Sequence, residues 1–240
     1  MRQLRLNCDL AEGAGLDERI IPLIDMANIA CGLHAGSWEE SARDVALARE
    51  HGVMIGAHPG YPDREHFGRR SLEMGPRLLR SALAYQIGAL EGICRAEGAK
   101  LEYVKPHGAL YNDMMRDQGL FESIVRWVAD LAPGAGLMLL AVGDPAPYRE
   151  IADRNGVGLI YELFADRNYL PDGSLVPRSH PEAVIHDPAR VVERIRRYRE
   201  EGVIADLEGR PLRLEADSVC VHGDTPEALE MIEALRNVTR

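Results

Sequence analysis

Lys105 and His107 flank Pro106 in the stretch VKPHGALY, at the end of an apolar run from Leu101 to Val104. The chain has 28 Lys and Arg residues, and only Lys100 and Lys105 are lysines. An ammonium is a compact charge whose pKa moves readily on burial, whereas a guanidinium stays charged. A chain that draws nearly all its positive charge from arginine has set one amine beside an imidazole. Proline has no N–H to give a sheet, so a central strand ends there. In extended backbone, side chains two residues apart leave the same face.

The same spacing recurs in Asn7 and Asp9, and in His222 and Asp224, each pair closing a strand-like run. His34 and His58 close two more, in CGLHAG and AHPGYPD, and Glu162 stands in ELFADR. One histidine at such a place is usually hydrogen-bonded structure. Four at separate strand ends, with Asp9 and Asp224, point to a joint site. His51, His66, His180 and His186 fall at a helix end or in loops and read as surface or structural residues. Carboxylates and imidazoles together supply general acids and bases or metal ligands. If a divalent metal is present, Asp9, His34 and His58 could hold it, although no HxH or HExxH spacing demands one. No G-x-S-x-G elbow and no GxxxxGK[ST] phosphate loop occurs, so ATP, if needed, is bound by another chain.

Seven apolar runs must position these groups: residues 3–9, 25–32, 53–58, 101–105, 136–144, 158–164 and 217–221. Helical patterns lie between them. Ser37 and Glu40 form a capping box before one helix, and Leu79, Leu83, Ile87, Leu90 and Cys94 stripe another. Further helices are expected near 118–131, 145–155 and 188–201, and Thr225 and Pro226 suit the start of a last one. Residues 165–187 read as a hairpin excursion, and VIADLEGRPLRL reads as a second hairpin. One domain over residues 1–240 is the simplest organisation. Alternating strands and helices imply a parallel α/β sheet. Polar residues at nearly every strand end fit a closed barrel better than an open sheet, because all carboxyl ends then share one rim.

The chain has 240 residues, a net charge of −10 and a pI near 5.3. That balance argues against nucleic acid and anionic membranes as general partners. The first ten residues contain no apolar signal-like core, and no run of about 18 apolar residues suggests a membrane span. Cys8, Cys31, Cys94 and Cys220 form no CxxC pair and read as buried thiols of a cytoplasmic protein.

The segments NCDLAE, NIACGLHAG, GAHPGYPD, FGRR, YQIGAL, VKPHGALYN, FADRNYLPDGSLVPRS and VHGDTPEA follow one another along the chain. In content and order they closely resemble the LamB/YcsF family. The resemblance implies an irregular seven-stranded β/α barrel, like that of polysaccharide deacetylases, with the active site at the carboxyl ends of the strands. It implies the activity of a 5-oxoprolinase A subunit, the ATP-dependent opening of 5-oxo-L-proline to L-glutamate with partner subunits B and C. Two segments depart from the family's usual form. DLAE stands for DLGE, and HAGSW stands for HAGDP, so Ser37 replaces an acid.

For lactam opening, the expected catalytic set is Asp9, His34, His58, Lys105, His107, Glu162, His222 and Asp224. Asp9 or His107 would activate water, and Lys105 and the other histidines would stabilise developing negative charge. His222 and Asp224 would form an acid and its orienter, with Glu162 assisting. Asn7, Arg167 and Arg178 would bind substrate, either arginine gripping a carboxylate. Two competing readings are a stand-alone metal-dependent amidase or deacetylase, and a lactam-binding carrier without chemistry of its own.

Overall fold

Strands β1 (Arg5–Leu10), β2 (Met26–Ala30), β3 (Met54–His58), β4 (Leu101–Val104), β5 (Gly136–Leu140) and β6 (Leu159–Phe164) are buried over most of their length. Near-continuous apolar runs of this kind suit parallel strands covered on both faces. β7 (Val203–Ala205) and β8 (Pro211–Arg213) pair antiparallel as a separate two-stranded sheet. β9 (Ser218–Val221) returns to the main sheet between β6 and β1. In the computed structural model, which describes residues 4–223 and 227–239, the order β1-β2-β3-β4-β5-β6-β9 closes a seven-stranded parallel barrel. The closed alternative is therefore the one that forms.

Among the described residues the α-helices are α1 (Asp17–Ile20), α2 (Trp38–His51), α3 (Pro76–Ala96), α4 (Gly108–Arg116), α5 (Gln118–Leu131), α6 (Ala146–Asn155), α7 (Pro188–Glu201) and α8 (Ala228–Thr239). The expected stripe of α3 is buried, from Leu79 to Cys94. Ser37 caps α2, its Oγ accepting the Glu40 N–H at 3.2 Å. Helix α4 is a difference from the sequence reading. Pro106 and Gly108 look like a plain turn, yet Ala109, Leu110, Tyr111 and Met114 bury one face of a helix that starts at once. The fifth strand stops at Leu140 rather than running on to residue 144. Residues 165–187 carry two isolated antiparallel bridges, Arg167 with Val184 and Tyr169 with Leu175.

Met26, Tyr103 and Met138 fill part of the barrel interior. Tyr103 lies against Gly56 of β3, where a Cβ would come 2.1 Å from the ring. A glycine there lets the ring cross the barrel and its hydroxyl donate to Asn28 Oδ1 at 2.7 Å. The four cysteines are buried and free. Among the described residues no helix is long and apolar enough to cross a membrane.

Candidate active site

The polar layer of the barrel is built on Lys105, which follows β4 and is 2% exposed. Its ammonium lies 2.9 Å from Asp9 Oδ1 and 3.1 Å from Glu162 Oε2, and it donates to Asn7 Oδ1 at 3.4 Å and Cys220 Sγ at 3.3 Å. Asn28 of β2 donates to both Asn7 Oδ1 and Asp9 Oδ1 at 2.8 Å. Asn7 donates to Ser218 Oγ at 2.6 Å and to Glu162 Oε2 at 3.3 Å. Burial works against a charged Lys105, but the charge of Asp9, with Glu162 adding to it, holds the ammonium well above its ordinary range. Burial likewise opposes ionisation of Asp9, and Lys105 and His58 overcome it, leaving that carboxyl well below its usual value. Glu162 goes the other way: burial raises it more than Lys105 lowers it. One buried cation thus serves two carboxyls of unequal acidity.

Above this layer, Glu12 and three histidines gather from the loops and ends after β1, β2, β3 and β4. His34 Nε2 is 3.0 Å from Glu12 Oε1, and His107 Nδ1 is 3.2 Å from the same oxygen. His58 Nε2 sits 2.9 Å from His107 Nδ1 and 3.5 Å from Asp9 Oδ2. The His34 and His107 rings stack at 3.8 Å. Gly68 makes room for that stack, since a Cβ there would meet His34 Cβ at 2.8 Å and His107 Cδ2 at 2.9 Å. Burial pushes the His34 imidazole down to about 3 and lowers His107 as well. Burial also works against a charged His58, yet Asp9 beside it leaves its pKa raised. Ala11 has φ of 55°, and this left-handed residue directly precedes Glu12.

A cleft of about 250 Å³ opens over these groups. Asp9, Glu12, His58, Lys105 and His107 line its inner wall, and Arg69, Arg167 and Arg178 line its outer part. His222 lines it from the end of β9, its Nδ1 2.9 Å from Asp166 Oδ2 and its ring stacked on Phe164 at 5.4 Å. Arg167 Nε and Nη2 donate to the carbonyls of Ala183 and Val176, so this side chain ties down the 165–187 segment.

Asp9, His58, Lys105, His107, Arg167, Arg178 and His222 therefore share one cleft, with His34, Asn7 and Glu162 buried just behind it. Asp224, Thr225 and Pro226 lie outside the described residues. The carboxylate that orients His222 in the structure is Asp166, not anticipated from sequence although it follows β6 in ELFADR. His51, His66, His180 and His186 do not line the cleft. The metal set Asp9, His34 and His58 needs correction. The donor atoms that converge belong to Glu12, His34, His58 and His107, all within 4.8 Å of one another. Asp9 is instead held by Lys105 and Asn28. Glu12 escapes a reading of the sequence because DLAEGAG looks like plain loop. Three imidazoles and one carboxylate converge within 4.8 Å, and an N3O donor set of this kind suits zinc-class ions, so these residues fit a metal.

A model of the LamB/YcsF family matches residues 4–240. The A subunit of 5-oxoprolinase from Chromohalobacter salexigens is 49% identical over 238 residues, covering 97% of this chain and 95% of that protein. The protein of the same name from Vibrio cholerae serotype O1 is 45% identical over 240 residues, covering 98% and 97%. The crystal structure of a lactam utilization protein from Thermus thermophilus superimposes with a TM-score of 0.87 at 40% identity, covering 99% of this chain and 96% of that one. Matched along nearly its whole length in sequence and in fold, this chain belongs to the LamB/YcsF family.

Proposed function

We propose that this chain is the A subunit of an ATP-dependent 5-oxoprolinase, opening 5-oxo-L-proline to L-glutamate in the cytoplasm together with subunits B and C. The observation that carries the reading is the cleft itself. Ionised Asp9 and a row of imidazoles stand at its base, and arginines stand at its mouth, in a volume suited to a small anionic ring. The names of relatives 45–49% identical over nearly the full chain support it.

A five-membered lactam is a stable amide. Phosphorylation of its oxygen by ATP on the partner subunits would make the ring carbon electrophilic. Water then adds to that carbon while its proton passes to Asp9, whose Oδ2 is the oxygen left open by Lys105 and Asn28. The C–N bond breaks as the ring nitrogen takes a proton from His222, held in place by Asp166, and the γ-acyl phosphate that results is hydrolysed by a second water to glutamate and inorganic phosphate. Lys105 has its three N–H bonds engaged below the cleft, so its part is to keep Asp9 ionised rather than to touch substrate. Arg178 and Arg69 reach the cleft from its exposed rim and suit the carboxylate and the added phosphoryl group. Arg167 positions the segment that carries Arg178.

The test is turnover of 5-oxoproline with ATP, with and without subunits B and C. Glutamate should form only when all components are present. Turnover by this chain alone without ATP would instead favour a metal-dependent amidase, the second reading, which the Glu12–histidine cluster favours.

A further inference from the structure

The hydrogen bonds behind two of the clustered rings decide which nitrogens face inward bare. A carbonyl oxygen only accepts, so His58 Nδ1, 2.7 Å from the Lys105 carbonyl, carries a hydrogen. His107 Nε2, 2.8 Å from the Phe67 carbonyl, carries one too. In the neutral rings, His58 Nε2 and His107 Nδ1 are then lone pairs, and they face each other at 2.9 Å. Glu12 Oε1, a further acceptor, is 3.2 Å from His107 Nδ1 and 3.7 Å from His58 Nε2. One extra proton can bridge one of these pairs but not all three. His34 Nε2 points at the same oxygen, 3.0 Å away, from a ring whose other nitrogen has no hydrogen-bond partner among the described residues.

Converging acceptors of this kind are stable around a cation. A ring N–H donated outward to a backbone carbonyl is the arrangement that aims a histidine at a metal. We infer that Glu12, His34, His58 and His107 bind one divalent transition-metal ion of the zinc class at the mouth of the barrel. Glu12, His58 and His107 line the cleft, so the ion has an entry path from solvent. Asp9 stands outside the converging set, with its Oδ1 held by Lys105 at 2.9 Å and its Oδ2 3.5 Å from His58 Nε2. The inference goes beyond the lactam reading and does not depend on it.

The experiment uses the full-length protein, stripped with a chelator and checked for fold by circular dichroism. Zn2+ is titrated calorimetrically, and Co2+ is followed by its visible absorption. Stripped wild type should bind one ion per chain. Glu12→Gln, which keeps shape and removes only charge, and His107→Asn should each weaken binding by about 10-fold or more. They should also change the Co2+ spectrum. If folded wild type takes up no Co2+ at one equivalent, the proposal fails and a shared proton holds the cluster together. If E12Q and H107N bind as tightly as wild type, it fails because the metal sits elsewhere. Lactam turnover enters neither readout, so failure here leaves the lactam reading standing.

Discussion

Lys105 is held as a charged group by the carboxyls of Asp9 and Glu162, and those carboxyls in turn need its charge. Lys105→Met would leave two buried carboxyls side by side without a cation. Breaking a buried pair in this way costs about 3–5 kcal/mol, which urea unfolding at neutral pH should show together with loss of turnover. Asp166 gives a pH-dependent counterpart. Burial opposes its ionisation, but His222 outweighs this and leaves its pKa below the ordinary 3.8. In the window from 3.8 down to that lowered value the unfolded chain binds more protons than the native one. The contribution is therefore present above the window and lost as pH falls through it. Urea midpoints measured from pH 5 downward should fall less steeply in Asp166→Asn than in wild type. Asp9 and Glu12, lowered for similar reasons, keep part of the slope in that variant.

Element ends set the geometry of the histidine layer. Gly68 has φ of 63° and lies against both stacked rings. Gly68→Ala adds backbone strain and a clash, and should cost about 1–3 kcal/mol in denaturant unfolding. It should also weaken Co2+ binding by splaying His34 from His107, a change that strain alone would not produce. At the start of α2 the cap is Ser37, whose hydroxyl receives the Glu40 N–H. Serine and aspartate cap helices about equally well, so Ser37→Asp should leave stability within about 0.5 kcal/mol. Ser37→Ala should lose about 1 kcal/mol, read from the same unfolding curves.

Closure of the barrel joins strands from opposite ends of the chain. β1 pairs with β9 through Arg5 with Ser218 and Cys8 with Val221. The polar layer crosses the same seam, through Asn7 and Ser218 at 2.6 Å. A ligand that ties the ends of β1, β2, β3 and β4 together therefore stabilises the whole barrel rather than one loop. Zn2+ at about 100 times its Kd should add about 2.7 kcal/mol. For a chain of this size that raises Tm by roughly 5–11 °C in calorimetry, reversed by chelator.

Chain order and residue type determined much of this by themselves. Polar residues closing nearly every apolar run already implied a shared rim, and Asn7, Asp9, His58, Lys105 and His222 did meet there. Those positions were readable because strand periodicity states which way a side chain leaves the backbone. Asn28 left a fainter signal, a polar residue inside the buried run MANIA. Glu12 and Asp166 left almost none, because each depends on contacts across the barrel. Glu12 reaches the histidines through the left-handed turn at Ala11, and Asp166 meets His222 only once β6 and β9 lie side by side. Sequence spacing specifies direction along one strand. Only closure of the barrel specifies which strand ends face each other, and that decided which carboxylate serves Lys105, which serves His222 and which faces the imidazoles.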